Sequence, residues 1–475
     1  MTPRAHADAL ISWLGGRSLA EAQAAWDDQL LVHADALADA ADSDDEAQRG
    51  AGLAALFGGL VEPLNDGFTP AGRWTYHRVF GRIVWRVCAR VPALAARLAT
   101  FGIADEAALL AHHARVRAGN DPLPATVAKV VIPSRVTLGA DVLLTTVLLQ
   151  RLHARYPQAQ LVVLGDAKLG GLIGGLPGVR VRPLAYARRG PLRERLASWL
   201  LLADAVAAES PDLVVAPDSR LDQLGLLPVI AAPRYRLWEN VRPESAAPQS
   251  LADQLDGWCA RLLGGGTACT PRLAFDTERA ALATRFRAAF GDAPLCAVKL
   301  DHGGNAAKSL PRDGELHLLR GLRGKGWRVL LDRGFGAEEL ANSDALVDAL
   351  GWRVTDLDDS GQGLGRAVAA LAPGELAAAE IIRFHGSIGG WAAALAACGH
   401  AVAYDSVGHH LAAALAVPVS IAFTGWSDPG FPIAWQPRGS GRVHLVAIPT
   451  AEKVEARWWD ALLMAVPDCP PPARD

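Results

Sequence analysis

An α/β architecture, with two Rossmann-like halves behind an α-helical preface, is what this chain of 475 residues predicts. Two series of short apolar strands alternate with helical segments, a glycine-rich break separates the series, and the first quarter is alanine- and leucine-rich without strand signals. Alternation of this kind makes βαβ units, which build parallel sheets covered on both faces.

Residues 1–122 form the preface. In "SLAEAQAAWDDQLLVHADALADAA" the apolar residues fall at helical spacing, and Ser18 with Glu21 makes the S-x-x-E pattern of a capping box. "YHRVFGRIVWRVCARVPALAARLATFG" predicts a basic amphipathic helix interrupted at Pro92. Such a helix can lie on a membrane surface, which allows for peripheral membrane contact. Packing on a neighbouring domain with the arginines outward is the commoner arrangement. No catalytic pattern occurs in this region.

The first half, residues 123–272, begins after the turn-rich "GNDPLP" with the strands "AKVVIPS", "AQLVVLGD" and "PDLVVAP". "LLGGGTACTP" is the linker. The second half, residues 273–475, contains "LCAVKL", "WRVLLD", "EIIRFHG", "HAVAYDS" and "VPVSIAF". Its last helix, "TAEKVEARWWDALLMAV", could pack back on the first half, and the tail "PDCPPPARD" is expected to fray.

Composition narrows the function. A formal net charge of −3 disfavours nucleic acid as a partner. The six cysteines form no CxxC pair, so they read as free thiols of a reducing, cytoplasmic setting. No signal peptide or membrane span is evident.

Ligands of open parallel sheets bind beyond the carboxyl ends of the strands. Four strand-to-helix loops therefore matter. In "PSRVTLGADVLLTT", Asp141 is either a general base facing the cleft or a first-turn aspartate favoured by the helix dipole; position alone favours the second. "KLDHGGNAAKSLPRD" offers Gly303 and Gly304 for close approach, Asn305, and Lys308 as a phosphate-binding charge. "DRGFGAEEL" places Glu338 and Glu339 where a carboxylate can hold ribose hydroxyls. In "YDSVGHHLAAALAVPVSIAFTGWSDPG", Asp405 and Ser406 end a strand, Gly408 permits the turn, and the amides of residues 406–410 open a helix that can receive an anion. His409 and His410 could add hydrogen bonds or charge. Neighbours on a helix point about 100° apart, and no further ligand cluster has metal spacing, so no metal is expected. G-x-S-x-G, H-E-x-x-H and G-x-G-x-x-G motifs are missing, which disfavours serine hydrolases, zincins and ordinary dehydrogenases.

"RVTLGADVLLTTVLLQRLHARYPQAQLVVL", "GGNAAKSLP" and "YDSVGHHLAAALAVPVSIAFTGWSDPG" together resemble the bacterial ADP-heptose:lipopolysaccharide heptosyltransferases of glycosyltransferase family nine, over roughly residues 125–470. The resemblance implies a GT-B fold, two facing Rossmann-like domains with the acceptor in the first and the donor mostly in the second. It implies an inverting, metal-independent transfer from a nucleotide sugar, typically ADP-heptose, in lipopolysaccharide biosynthesis. No cofactor is implied, since the nucleotide sugar is a substrate. Asp141 takes the place of the base, Lys308 that of the lysine on the donor phosphates, and Asp405, Ser406 and His410 the donor-binding places, with Val407, Gly408 and His409 between them. Glu338, or else Glu339, takes the ribose-binding place. Ala140 stands where a glycine usually precedes the base. The preface lies outside the plain family pattern, and the preface and Ala140 leave two alternatives. One is a related transferase with another nucleotide sugar and a protein or small-molecule acceptor. The other is a nucleotide-binding interaction protein without catalysis.

Overall fold

A computed structural model describes residues 1–119, 121–187, 189–243, 246–291, 294–300, 305–334, 336–358, 379–426 and 428–469. Gly303, Gly304 and the last six residues of the tail lie outside the described residues.

Five strands, β1 (Lys129–Pro133), β2 (Gln160–Gly165), β3 (Val179–Pro183), β4 (Leu213–Pro217) and β5 (Tyr235–Trp238), make the first sheet in the order β3-β2-β1-β4-β5. Seven more make the second: β6 (Leu295–Lys299), β7 (Arg328–Asp332), β8 (Val354–Asp358), β9 (Ile381–His385), β10 (His400–Tyr404), β11 (Val419–Phe423) and β12 (Val443–Ala447), ordered β12-β11-β10-β6-β7-β9-β8. Every pairing is parallel. The chain reverses its direction of travel between β1 and β4 in one sheet and between β6 and β10 in the other. At such switch points the loops on either side diverge and leave a crevice.

Successive strand residues point to opposite faces, and the first sheet uses both. Val130, Ile132, Leu161, Val163, Leu213 and Val215 join a core shared with the second domain. Val131, Val162, Leu164, Val214 and Ala216 join a core built with Tyr76, Phe80, Ile83 and Val84 of the preface. The preface is thus an integral layer on one face of the sheet. Its long helix, Pro70–Arg90, is mostly buried and ends where Pro92 starts the helix Pro92–Thr100. Of its arginines, Arg82 reaches Asp35 at 2.8 Å and Glu106 at 2.6 Å, and Arg86 reaches Asp39 at 2.8 Å. Those side chains are committed to partners within the preface, as packing on a neighbour requires. Arg73, ahead of that stretch on the same helix, turns into the interior, onto Asp218, Glu239 and Asn240 of the first domain. The Ser18–Glu21 capping box is present.

Among the described residues, the last helix, Ala456–Met464, has its packing within its own domain. It lies on the helix Arg312–Gly324 of its own domain, where Leu462 and Leu463 join Leu318, Leu319 and Leu322. Gly321 makes room, since a Cβ there would come within 2.3 Å of Leu463. No described helix is long and apolar enough to cross a membrane.

Candidate functional site

The two switch points face each other. After β6, a short turn, Ala306–Lys308, is capped by Asn305, whose side-chain oxygen accepts the Ala307 N–H at 3.0 Å. That turn presents Lys308, whose Nζ lies 2.5 Å from Oδ2 of Asp405 at the end of β10. Strand order alone brings these two together from positions far apart in sequence, because β6 and β10 are neighbours. Asn305, Lys308, Asp405, Ser406, Val407 and His410 line one side of a cavity of about 910 Å³. Thr137, Gly139 and Ala140 of the first domain line the other. Gly139 is needed for this approach, since a Cβ would stand 3.0 Å from the His410 ring and 3.5 Å from Val407 Cα.

The helix Val407–Ala414 uses some of the groups expected to be available for an anion. Ser406 is its N-cap and accepts the Gly408 N–H at 3.4 Å, while the Ser406 N–H reaches Nδ1 of His409 at 3.2 Å and Tyr404 O at 2.8 Å. The 406 and 408 amides are therefore engaged inside the cap. His409 is fully buried and serves that cap. Gly408 is needed because the Lys299 side chain passes 2.7 Å from where its Cβ would be. Neither Gly408 nor His409 lines the cavity. His410 does, but burial, then His409 and Lys308, hold its pKa well below the usual imidazole value. It faces the cavity neutral, able to hydrogen-bond but not to bring charge.

Asp141 is held apart from the cavity-lining groups. Its carboxylate is buried and turned back toward its own loop, accepting from the Ser134 hydroxyl at 2.6 Å, the Arg135 N–H at 2.9 Å and the Thr145 hydroxyl at 2.8 Å. Its neighbour Ala140 lines the cavity, while the Asp141 carboxylate itself is held by these three donors. Burial pushes its pKa up against those three donors. A π-helical turn, Asp141–Thr145, follows Ala140 and lies between the short helix Leu138–Ala140 and the helix Thr146–Arg155. What Asp141 holds is a strained loop, in which Val136 has φ of 77°, a conformation that β-branched residues rarely adopt. Asp141→Ala should therefore lower the melting temperature, by about 1–3 kcal/mol of stability, because buried donors lose their acceptor. Lost turnover at an unchanged melting temperature would instead mark Asp141 as the base.

Glu338 and Glu339 both line a second cavity, and Glu339 is in addition engaged in its helix cap. Glu339 accepts the Gly336 N–H at 3.1 Å. This cavity, about 420 Å³, lies between the loops after β6 and β7, and Ser309, Arg312 and Asn342 line it too. Glu315, which nothing in its sequence setting singled out, is buried there and accepts from the Tyr404 hydroxyl at 2.7 Å. Tyr404 immediately precedes Asp405, so one strand end serves both cavities.

Across the first sheet's switch point, Arg135 pairs with Asp218, and the Ser219 hydroxyl donates to Ser134 O at 2.7 Å. The Arg135 guanidinium also lies 5.8 Å from the Trp435 ring of the second domain. Among the described residues no group of three or more His, Cys, Asp or Glu is arranged to hold a metal.

The chain matches no family model and no curated protein. Solved structures do resemble it. The glycosyl transferase family 9 protein from Veillonella parvula aligns with a TM-score of 0.50 at 15% identity, over 73% of this chain and 96% of that one. The fold is GT-B. Two further similar structures are the E. coli ADP-heptose lps heptosyltransferase II (TM-score 0.46, 18% identity, 71% and 98% coverage) and the E. coli heptosyltransferase WaaC with ADP-2-deoxy-2-fluoro heptose (0.47, 18%, 71% and 98%). In GT-B terms, the 910 Å³ cavity is the interdomain cleft and the 420 Å³ cavity opens within the second domain.

Proposed function

We propose that the chain is a glycosyltransferase that moves a sugar from a nucleoside diphosphate donor to an acceptor hydroxyl, with inversion and without a divalent metal. The observation that carries this reading is Lys308 beside Asp405, at the second sheet's switch point, facing a cavity that both domains line. A departing diphosphate needs positive charge fixed in advance, and a preorganised lysine in a partly dry cleft supplies it. Lys308 would exchange Asp405 for the phosphate oxygens, the neutral His410 would add a hydrogen bond, and Glu338 would hold the ribose in the neighbouring cavity. An acceptor entering from the first-domain side attacks opposite the leaving group, which inverts the anomeric carbon. ADP-heptose is the first donor to test, in line with the resemblance of the three sequence stretches to the ADP-heptose heptosyltransferases. Nucleotide-sugar use and six free cysteines fit a cytoplasmic setting.

The burial of Asp141 favours a second reading, nucleotide binding without transfer. Calorimetric titration with ADP, UDP and GDP in the presence of EDTA, followed by an assay of diphosphate release from the matching sugar donor, decides between them. Binding that survives EDTA, with release, is expected. Binding without release supports the second reading, and no binding of any diphosphate removes both.

A further inference from the structure

A third cavity, about 410 Å³, lies where the preface meets the first domain. The short helix Glu62–Asp66, entered through a second π-helical turn at Phe57–Val61, lines it with Glu62, Asn65 and Asp66. Arg195, on the helix Leu192–Glu209, and Arg220, after β4, line it as well. Two acids and two guanidiniums thus share one space, yet among the described residues none of the four makes an ion pair. Glu62 is exposed, but Asp66, Arg195 and Arg220 are half-buried, where opposite charges ordinarily close on one another. Each arginine is instead laid on an aromatic ring of the wall. The Arg195 guanidinium lies 5.2 Å from the Phe57 ring and that of Arg220 lies 6.0 Å from the Tyr76 ring. Arg195 Nε donates to Gly190 O at 3.2 Å, which leaves its two Nη groups for an anion. On the opposite side the need is for a cation. Glu62 and Asp66 stand four residues apart on one helix, so like charges share a face, at a cost in stability. Asn65, beside Asp66, is only 2% exposed; its Nδ2 donates to Val61 O at 2.5 Å and its Oδ1 has no partner. A buried oxygen left in this state is destabilising until a donor reaches it.

We infer that this cavity binds a small zwitterion, an α-amino acid with an apolar side chain. Its carboxylate lies between Arg195 and Arg220, and its ammonium donates to Asp66 and to the Asn65 Oδ1. A simple anion would leave both acids and the Asn65 oxygen unanswered, and a simple cation would leave both guanidiniums so. A ligand charged at both ends answers all of them and accounts for cations and carboxylates that line one space without touching. The remaining wall, with Val61, Phe80, Val136, Leu192, Leu196 and Leu221, receives the side chain. These groups belong to the preface and the first domain, whereas Lys308 and Asp405 stand in the second. The inference therefore does not rest on the transferase reading. Thr137 and Tyr186 line both this cavity and the interdomain cleft, so the two spaces are neighbours.

Calorimetric titration of the full chain with L-leucine, L-phenylalanine and L-tyrosine tests this. At least one should bind. Its deaminated and decarboxylated analogues (3-phenylpropionate and phenethylamine in the case of phenylalanine) should each bind about tenfold or more weakly, since each forfeits charged hydrogen bonds. Arg195→Met keeps the aliphatic stem on Phe57 and removes the charge, and Asp66→Asn removes the charge that faces the ammonium. Each should lose about tenfold or more in affinity with the melting temperature unchanged. Leu196→Trp, which fills the cavity, should abolish binding. Failure of all three amino acids to bind the wild type overturns the inference, and so does equal binding of the analogues that carry one charge. Full affinity in Arg195→Met or in Leu196→Trp overturns it too, because the amino acid would then sit elsewhere. If a variant fails to fold, the comparison of analogues on the wild type decides alone.

Discussion

Lys308→Ala is expected to weaken nucleoside diphosphate binding by about 10- to 100-fold, roughly 1.4–3 kcal/mol, the range of a hydrogen bond to a charged group. Two effects add. The diphosphate loses its charged donor, and Asp405, only 10% exposed and now unpaired, faces it with a like charge. Lys308→Arg should recover part of the loss, because a planar guanidinium cannot reproduce the compact ammonium in the same space. Asp405→Asn separates the two effects, since it removes the repulsion while keeping the lysine. Calorimetric titration with ADP measures all three. An affinity within twofold of wild type for Lys308→Ala would place the diphosphate elsewhere.

Glu239→Ala should cost about 3–5 kcal/mol, the usual result of breaking a buried ion pair from one side. Glu239 follows β5 and gathers the preface onto the first domain. Its carboxylate meets His77 at 2.5 Å, Arg117 at 2.7 Å and Arg73 at 3.9 Å, and Arg73 also reaches Asp218 at 3.3 Å. Burial by itself would raise the Glu239 carboxyl, but His77, Arg73 and Arg117 outweigh it and hold it below the usual carboxylate range. Burial lowers His77 to about 4, so at neutral pH that partner is an uncharged imidazole and the arginines carry the charge. A carboxyl depressed on folding stabilises the native state above its unfolded value of 4.5, and that contribution fades as pH falls below it. The wild type should thus lose stability on acidification in a way Glu239→Ala does not. Melting temperatures from pH 3 to 7, with limited proteolysis of the preface, measure this. Equal melting curves for both proteins would show that the buried network contributes nothing.

Eight of the twelve strands among the described residues were legible as apolar runs, and the four that were not are the four sheet edges: β3, β5, β8 and β12. Edge strands are short and partly exposed. "VRVRP" and "VTDLD" carry charge through their length, and β12 is half-exposed, so the apolar-run signal fails there. β5 fails for another reason, being four residues with Arg236 buried among them. The donor side of the site was readable because its residues sit at strand ends, where topology places them. Asp141 could not be decided from its position, because a first-turn aspartate and a cleft-facing base share one place in the sequence.

The widened turn at Asp141–Thr145 has a mechanical consequence. A continuous α-helix fixes the angular offset between its two ends, so one end cannot be re-aimed without rotating the other. With one residue absorbed into a wider coil, the Leu138–Ala140 end is free to meet the Val407–Ala414 helix across the domain boundary, while Thr146–Arg155 keeps its own seat against Leu251–Leu263. The wider coil thus lets the rim of the cleft seat on the second domain while the framework behind it keeps its own packing.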